Sequence, residues 1–136
     1  DIIVGFPGET DEDFEATLDV VRQARFDSAF MFVFSPRPGT AAADMVDDFV
    51  PDDVVQERFQ RLLALQSSIA LERNQALIGD SFEVLSEGPS KKDPAMTTTR
   101  TRGGKLVHVD GVLAEGTFAT AEIIDAAKFH LTGRLV

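Results

Sequence analysis

The stretch DIIVGFPGETDEDF, Asp1 to Phe14, decides how the first half of this chain is read. Ile2, Ile3 and Val4 are consecutive apolar β-branched residues, the pattern of a strand covered on both faces, as in a parallel sheet. Gly5-Phe6-Pro7-Gly8 breaks the run. Pro7 has a fixed φ and drives Phe6 toward extended backbone, while the glycines permit positive φ. Thr10 reads as a helix N-cap, with Asp11, Glu12 and Asp13 complementing the positive helix end. Phe14, Leu18 and Val21 recur at i, i+4 and i+7, which predicts a helix from about Asp11 to Ala24.

A second continuous apolar run, SAFMFVF at Ser28–Phe34, reads as another strand buried on two sides and is ended by SPRPGT. Residues 1–40 therefore predict a βαβ unit with a right-handed crossover. Two such strands need more cover than the helices of this segment supply. The expectation is a partial (β/α) barrel of the TIM-like kind, α/β in class, with bare sheet edges. Pro51 suits the first turn of a long helix that Gly79 ends. Its periodicity turns Val55, Phe59, Leu62, Ile69 and Leu77 inward and Glu57, Arg58, Arg61, Glu72 and Arg73 outward.

Beyond Gly79 the texture changes. Short runs at Phe82–Leu85, Thr97–Thr101, Leu106–Val109, Phe118–Ile124 and Leu131–Val136 alternate with Gly-Pro, Gly-Gly and Asp-Gly turn signals. Five short strands in so little chain predict a small all-β closed barrel. The change of pattern sets the expected domains at residues 1–74 and 75–136.

Cysteine is absent, which excludes disulfides, thiolate metal sites and cysteine nucleophiles within these residues. No stretch approaches the roughly 18–20 apolar residues of a membrane span. The net charge of −10 opposes nucleic acid when taken whole, but it is unevenly spread. Residues 1–74 hold 15 acids and 6 bases, a balance of −9, whereas residues 75–136 hold 8 and 7, a balance of −1. Lys91–Lys105 alone holds five bases and one acid, +4.

Two kinds of candidate site follow. The loops Gly5–Glu9 and Ser35–Thr40 lie at the ends of neighbouring strands, where α/β folds place ligands. Their glycines serve either turn geometry or close backbone approach by a ligand. The flanking prolines stiffen the backbone around Arg37. Lys91, Lys92, Arg100, Arg102 and Lys105, with the hydroxyls of Thr97–Thr101, form the expected phosphate-tracking surface of a barrel. Arg100 and Arg102 would share a strand face. Without Tyr or Trp, phosphate contact is expected to dominate over base stacking. His108 and His130 read as lone surface histidines, and the aspartates of residues 44–53 as solvated helix ends. No metal site and no catalytic residue is assigned.

Taken together, DIIVGFPGET, FDSAFMFVFSPRPGTAAADM, LERNQALIG and EGPSKKDPAMTTTRTRGGKLVHV resemble, in order, the C-terminal part of the radical S-adenosylmethionine tRNA methylthiotransferases. The resemblance implies that residues 1–74 are the end of a radical S-adenosylmethionine barrel. Residues 75–136 would be a TRAM domain, a five-stranded OB-like barrel that binds tRNA. It implies that Ile3, Gly5, Phe34, Ser35, Pro36 and Arg37 line the S-adenosylmethionine pocket. Lys91, Lys92, Arg100, Arg102 and Lys105 would meet the tRNA, at the anticodon stem-loop. The family's [4Fe-4S] clusters need cysteines that this sequence lacks, so the resemblance places them in a preceding part of the same polypeptide and leaves these residues inactive alone. The resemblance also implies a cytoplasmic setting. The alternatives are the sister family that methylthiolates a ribosomal protein, a stand-alone RNA-binding module and a purely structural domain. The +4 segment favours RNA over protein as substrate.

Overall fold

The computed structural model describes residues 1–136, which divide into two compact units, Asp1–Ile69 and Ala70–Val136. The first unit starts with strand β1 (Ile2–Val4), helix α1 (Asp11–Ala24) and strand β2 (Met31–Val33). The strands pair in parallel, Ile2 opposite Met31 and Val4 opposite Val33, so the βαβ unit forms from the residues that predict it. Thr10 caps α1 in a full capping box with Asp13. A short helix α2 (Ala41–Asp44) and a 3-10 turn (Val46–Asp48) lead into the long helix α3 (Asp52–Gln75).

Val4, Phe14, Leu18, Val21, Val55, Leu62 and Ile69 make the buried core of this unit. It lies on one side of the two-stranded sheet. The other side is open: Ile3 is 53% exposed, Phe32, opposite it in register, 49%, and Phe30 73%. As expected from the shortage of covering helices in this segment, these residues do not bury the second face. β2 is also shorter than the Ser28–Phe34 run, since a single neighbouring strand supplies hydrogen bonds to so few of its residues.

Two residues of α3 depart from the predicted pattern. Arg58, expected outward, is 4% exposed, because carboxylates at Glu9 and Asp11 meet its guanidinium. Leu77, expected on the inner face of the helix, lies beyond its end at Gln75 and packs into the core of the second unit.

That second unit is a closed barrel of strand order β3-β4-β5-β7-β6, with β3 (Ser81–Pro89), β4 (Met96–Thr101), β5 (Leu106–Asp110), β6 (Phe118–Ala126) and β7 (Leu131–Leu135). β5 and β7 pair in parallel and the other neighbours antiparallel. Val84, Val107, Val109, Ala121, Ile123 and Leu131 fill the interior. Gly133 sits where a Cβ would come within 2.9 Å of Val107 Cγ1 and 3.2 Å of Ala121 Cβ, so only a glycine lets the barrel close at this width. Gly88-Pro89, read as a turn signal, lies inside β3. The register with β4 shifts between Ser86 and Pro89, and a φ of +94° at Gly88 makes the bulge that seats the proline.

Candidate functional site

In the first unit, parallel pairing brings the two predicted loops together. The Phe34 N–H donates to the Val4 carbonyl at 2.8 Å, which sets Gly5 beside Phe34 and Ser35 at the carboxyl ends of the strands. Ile3 is exposed on the open face, Phe34 half-buried, and Ser35, Pro36 and Arg37 exposed. Arg37 lies in a turn closed by Thr40, whose hydroxyl donates to the Arg37 carbonyl at 2.8 Å.

Gly5 is buried and has a φ of +80°. A Cβ there would meet Val55 Cγ2 at 2.7 Å and Cγ1 at 2.8 Å. Its N–H donates to Glu9 Oε1 at 3.1 Å. Turn geometry and helix packing thus account for glycine at this position. Arg58 holds the same Glu9 carboxylate at 2.8 Å and donates to the Glu9 carbonyl at 3.1 Å. Burial works against charge on Arg58, but the hydrogen bonds to Asp11 and Glu9 outweigh it and raise its pKa further.

Phe6 and Phe49 complete the strand-end surface. Their rings meet Phe34 edge to face at centroid distances of 5.5 and 5.8 Å. Phe6 belongs to the predicted Gly5–Glu9 loop but not to the predicted lining residues, and Phe49 lies outside both predicted loops. Phe6 stands in a turn and Phe49 follows the 3-10 turn, so neither carries a periodic signal. The Gly8 N–H donating to the Asp48 carbonyl at 2.8 Å ties those segments together.

In the barrel, the five predicted cations do not form one equivalent set. Arg100 makes two hydrogen bonds to Glu87, at 2.5 and 3.2 Å, and donates to the Gly104 carbonyl at 2.9 Å. The Glu87 hydrogen bonds raise its pKa against the opposing effect of burial. Lys105 Nζ donates to Asn74 Oδ1 at 2.7 Å. Lys91, Lys92 and Arg102 are exposed. Arg102 lies past the end of β4, so it does not share a strand face with Arg100. The threonines also sort differently from the expectation. Thr97 and Thr99 are buried, donating to the Gly111 and Val107 carbonyls at 2.7 and 2.8 Å, and Thr101 Oγ1 accepts from the Lys105 N–H. These hydroxyls satisfy the barrel interior, leaving Thr98 on the outer face.

The histidines are not isolated. His108 and His130 rings lie 5.2 Å apart, since the β5–β7 pairing sets His108 opposite Thr132, two residues past His130. No three His, Asp or Glu side chains are grouped to hold a metal ion, and no helix is long and apolar enough to cross a membrane.

Fold and site define a class: an α/β unit with an exposed strand-end surface, followed in the chain by a closed five-stranded barrel with exposed Lys91, Lys92 and Arg102 in its β3–β4 and β4–β5 loops. No protein-family model matches the sequence. Curated relatives do. The chain is 53% identical over 96% of its length to a tRNA-2-methylthio-N(6)-dimethylallyladenosine synthase of Mycobacterium marinum. It is 53% identical over 98% to one of Tropheryma whipplei and 55% identical over 96% to one of Nocardia farcinica. It belongs, as a C-terminal segment, to the family of those synthases. The chain spans 26 to 29% of the length of these three relatives.

Proposed function

We propose that this chain is the part of a tRNA methylthiotransferase that completes the S-adenosylmethionine pocket and grips the tRNA. The observation that carries the reading is identity of 53% or more across at least 96% of the chain with enzymes named for that reaction. On this reading residues 1–74 are the last staves of a radical S-adenosylmethionine barrel, and the open face at Ile3, Phe30 and Phe32 is where its remaining strands or their contents pack. Residues 75–136 are a TRAM domain that meets the anticodon stem-loop, in a cytoplasmic enzyme.

The residues at the strand ends fit an adenosyl group in kind. Exposed Ile3 and half-buried Phe34 offer apolar surface, and the exposed Ser35 hydroxyl and Arg37 guanidinium offer polar contacts beside it. Gly5 contributes as backbone, with its N–H already engaged by Glu9. When bound, S-adenosylmethionine supplies a radical able to attack an unactivated C–H bond. The [4Fe-4S] clusters do not fit these residues, which include no cysteine. Their ligation belongs to other parts of the enzyme. The relatives are named for tRNA, which favours tRNA over a ribosomal protein as substrate.

A segment exchange tests the proposal. These 136 residues replace the matching segment of the Mycobacterium marinum relative, and methylthiolated adenosine in tRNA is measured by mass spectrometry in cells lacking their own enzyme. Retained modification supports the reading. A stable, cluster-loaded chimaera that leaves tRNA unmodified refutes it.

A further inference from the structure

The outer surface of β4, β5 and β7 carries a cross-strand row, Thr98 opposite His108 opposite Thr132. His130 stands next to this row, its ring 5.2 Å from that of His108 and inclined at 65°. Thr98 Oγ1 is 3.4 Å from His108 Nδ1. The charged groups on the same face are Arg100 on β4, Asp110 on β5, Arg134 on β7 and Asp125 on β6 opposite Thr132, with Lys92 in the loop before β4. Arg100 is engaged by Glu87 and Arg134 by Glu122. Burial, His130 and Lys92 all push the His108 pKa down, and no carboxylate offsets them. Two basic groups, His130 and Lys92, thus act on a half-buried imidazole that contacts the Thr98 hydroxyl and the His130 ring and makes no salt bridge with a carboxylate.

We propose that His108 and His130, with Lys92 and the Thr98 hydroxyl, form a proton-linked binding site for a phosphodiester of RNA. The proposal rests on the reading of the barrel as a tRNA-binding unit and adds to the lysines and arginines a contact whose strength depends on pH. A bound phosphate supplies negative charge beside the rings, so the His108 imidazole takes up a proton on binding. The sign is then set. In the free protein the depressed His108 pKa disfavours protonation. With phosphate bound, protonation is favoured, and affinity rises as pH falls through the imidazole range.

The test uses the full 136-residue chain and fluorescein-labelled total tRNA, with EDTA present and ionic strength fixed. Fluorescence anisotropy between about pH 7.5 and about pH 5.8 should show binding tightening by about threefold to tenfold, the span of a shift of up to one pKa unit. The double variant His108→Gln, His130→Gln should lose that tightening while keeping its salt dependence. His130→Gln alone, on an exposed residue, should lose part of it. In the unsubstituted chain, the NMR titration midpoint of His108 should rise on addition of the tRNA. Salt-dependent binding that is flat with pH, or a pH response that survives the double variant, overturns the histidine site and leaves the tRNA reading intact. No binding at either pH overturns both.

Discussion

Arg58 and Glu9, 49 residues apart, are joined twice: the guanidinium donates to the Glu9 carboxylate at 2.8 Å and to its carbonyl at 3.1 Å. Both side chains are largely buried, and the same carboxylate oxygen accepts from the Gly5 N–H. The strand-end loop is therefore fastened to α3 by charge as well as by packing. Removing one partner leaves the other charge buried without compensation, which costs about 3–5 kcal/mol. Arg58→Ala should lower stability to urea by that amount, with CD as the probe. Asp11, whose side chain is 88% exposed, contributes little, and Asp11→Asn should cost under about 1 kcal/mol. Equal losses in the two variants would contradict this division.

Gly5 and Val55 form a second tie between the loop and α3. Gly5→Ala introduces both a left-handed backbone cost of about 1–2 kcal/mol and an overpacking cost of about 1–3 kcal/mol. Adding Val55→Ala opens the space that the new methyl needs. The double variant should be more stable than the sum of the single losses predicts, with the backbone cost remaining. Strict additivity in the mutant cycle would show that the close approach at 2.7 Å carries no energy.

The start of α1 should respond to acid. The Thr10 N–H donates to the Asp13 carboxylate at 3.0 Å, and the Thr10 backbone and side chain hold the Asp13 carboxyl below its ordinary value of 3.8. A depressed carboxylate stabilises the fold above its unfolded value, and the contribution is lost as pH falls below 3.8 through the folded value. Asp13→Asn should flatten this part of the acid titration of stability. Thr10→Ala should cost about 1 kcal/mol near neutral pH. An acid response of the same size in Asp13→Asn would place its source elsewhere.

Salt dependence of tRNA binding should reflect how many barrel cations can reach phosphate. Arg100, though exposed, is tied to Glu87, and half-buried Lys105 to Asn74, which of the five predicted cations leaves Lys91, Lys92 and Arg102 exposed and without a side-chain partner. At about −0.7 per single-strand phosphate contact, log K against log salt should have a slope of roughly −2, where five contacts would give roughly −3.5. Lys91→Ala with Arg102→Ala should flatten the slope to roughly −0.7, measured near pH 7.5. A slope near −3.5 in the unsubstituted chain would mean that Arg100 and Lys105 exchange their internal partners for phosphate.

The elements that sequence made legible are those with a local cause. The Thr10–Asp13 box and the Phe14, Leu18, Val21 stripe depend on residues within a few positions of one another, and α1 runs over the predicted span. The barrel strands are marked by their turns. Where the pattern misled, a distant residue intervened. Arg58 reads as a surface residue on its helix and becomes buried because Glu9 arrives from another part of the chain. Thr97 and Thr99 read as phosphate donors until the barrel closes and turns them toward interior carbonyls. The histidine pair is invisible along the chain, because residues 108 and 130 meet only through the β5–β7 pairing.

By itself, the sequence determined the βαβ start, the switch to short strands and the kinship with the synthases, because periodicity, turn chemistry and motif order are properties of neighbouring positions. Only the tertiary structure decided which cations are exposed, why Gly5 must be glycine and where the two imidazoles stand. Those depend on distances between residues far apart in the chain, and such distances exist only once the strands have paired and the cores have packed.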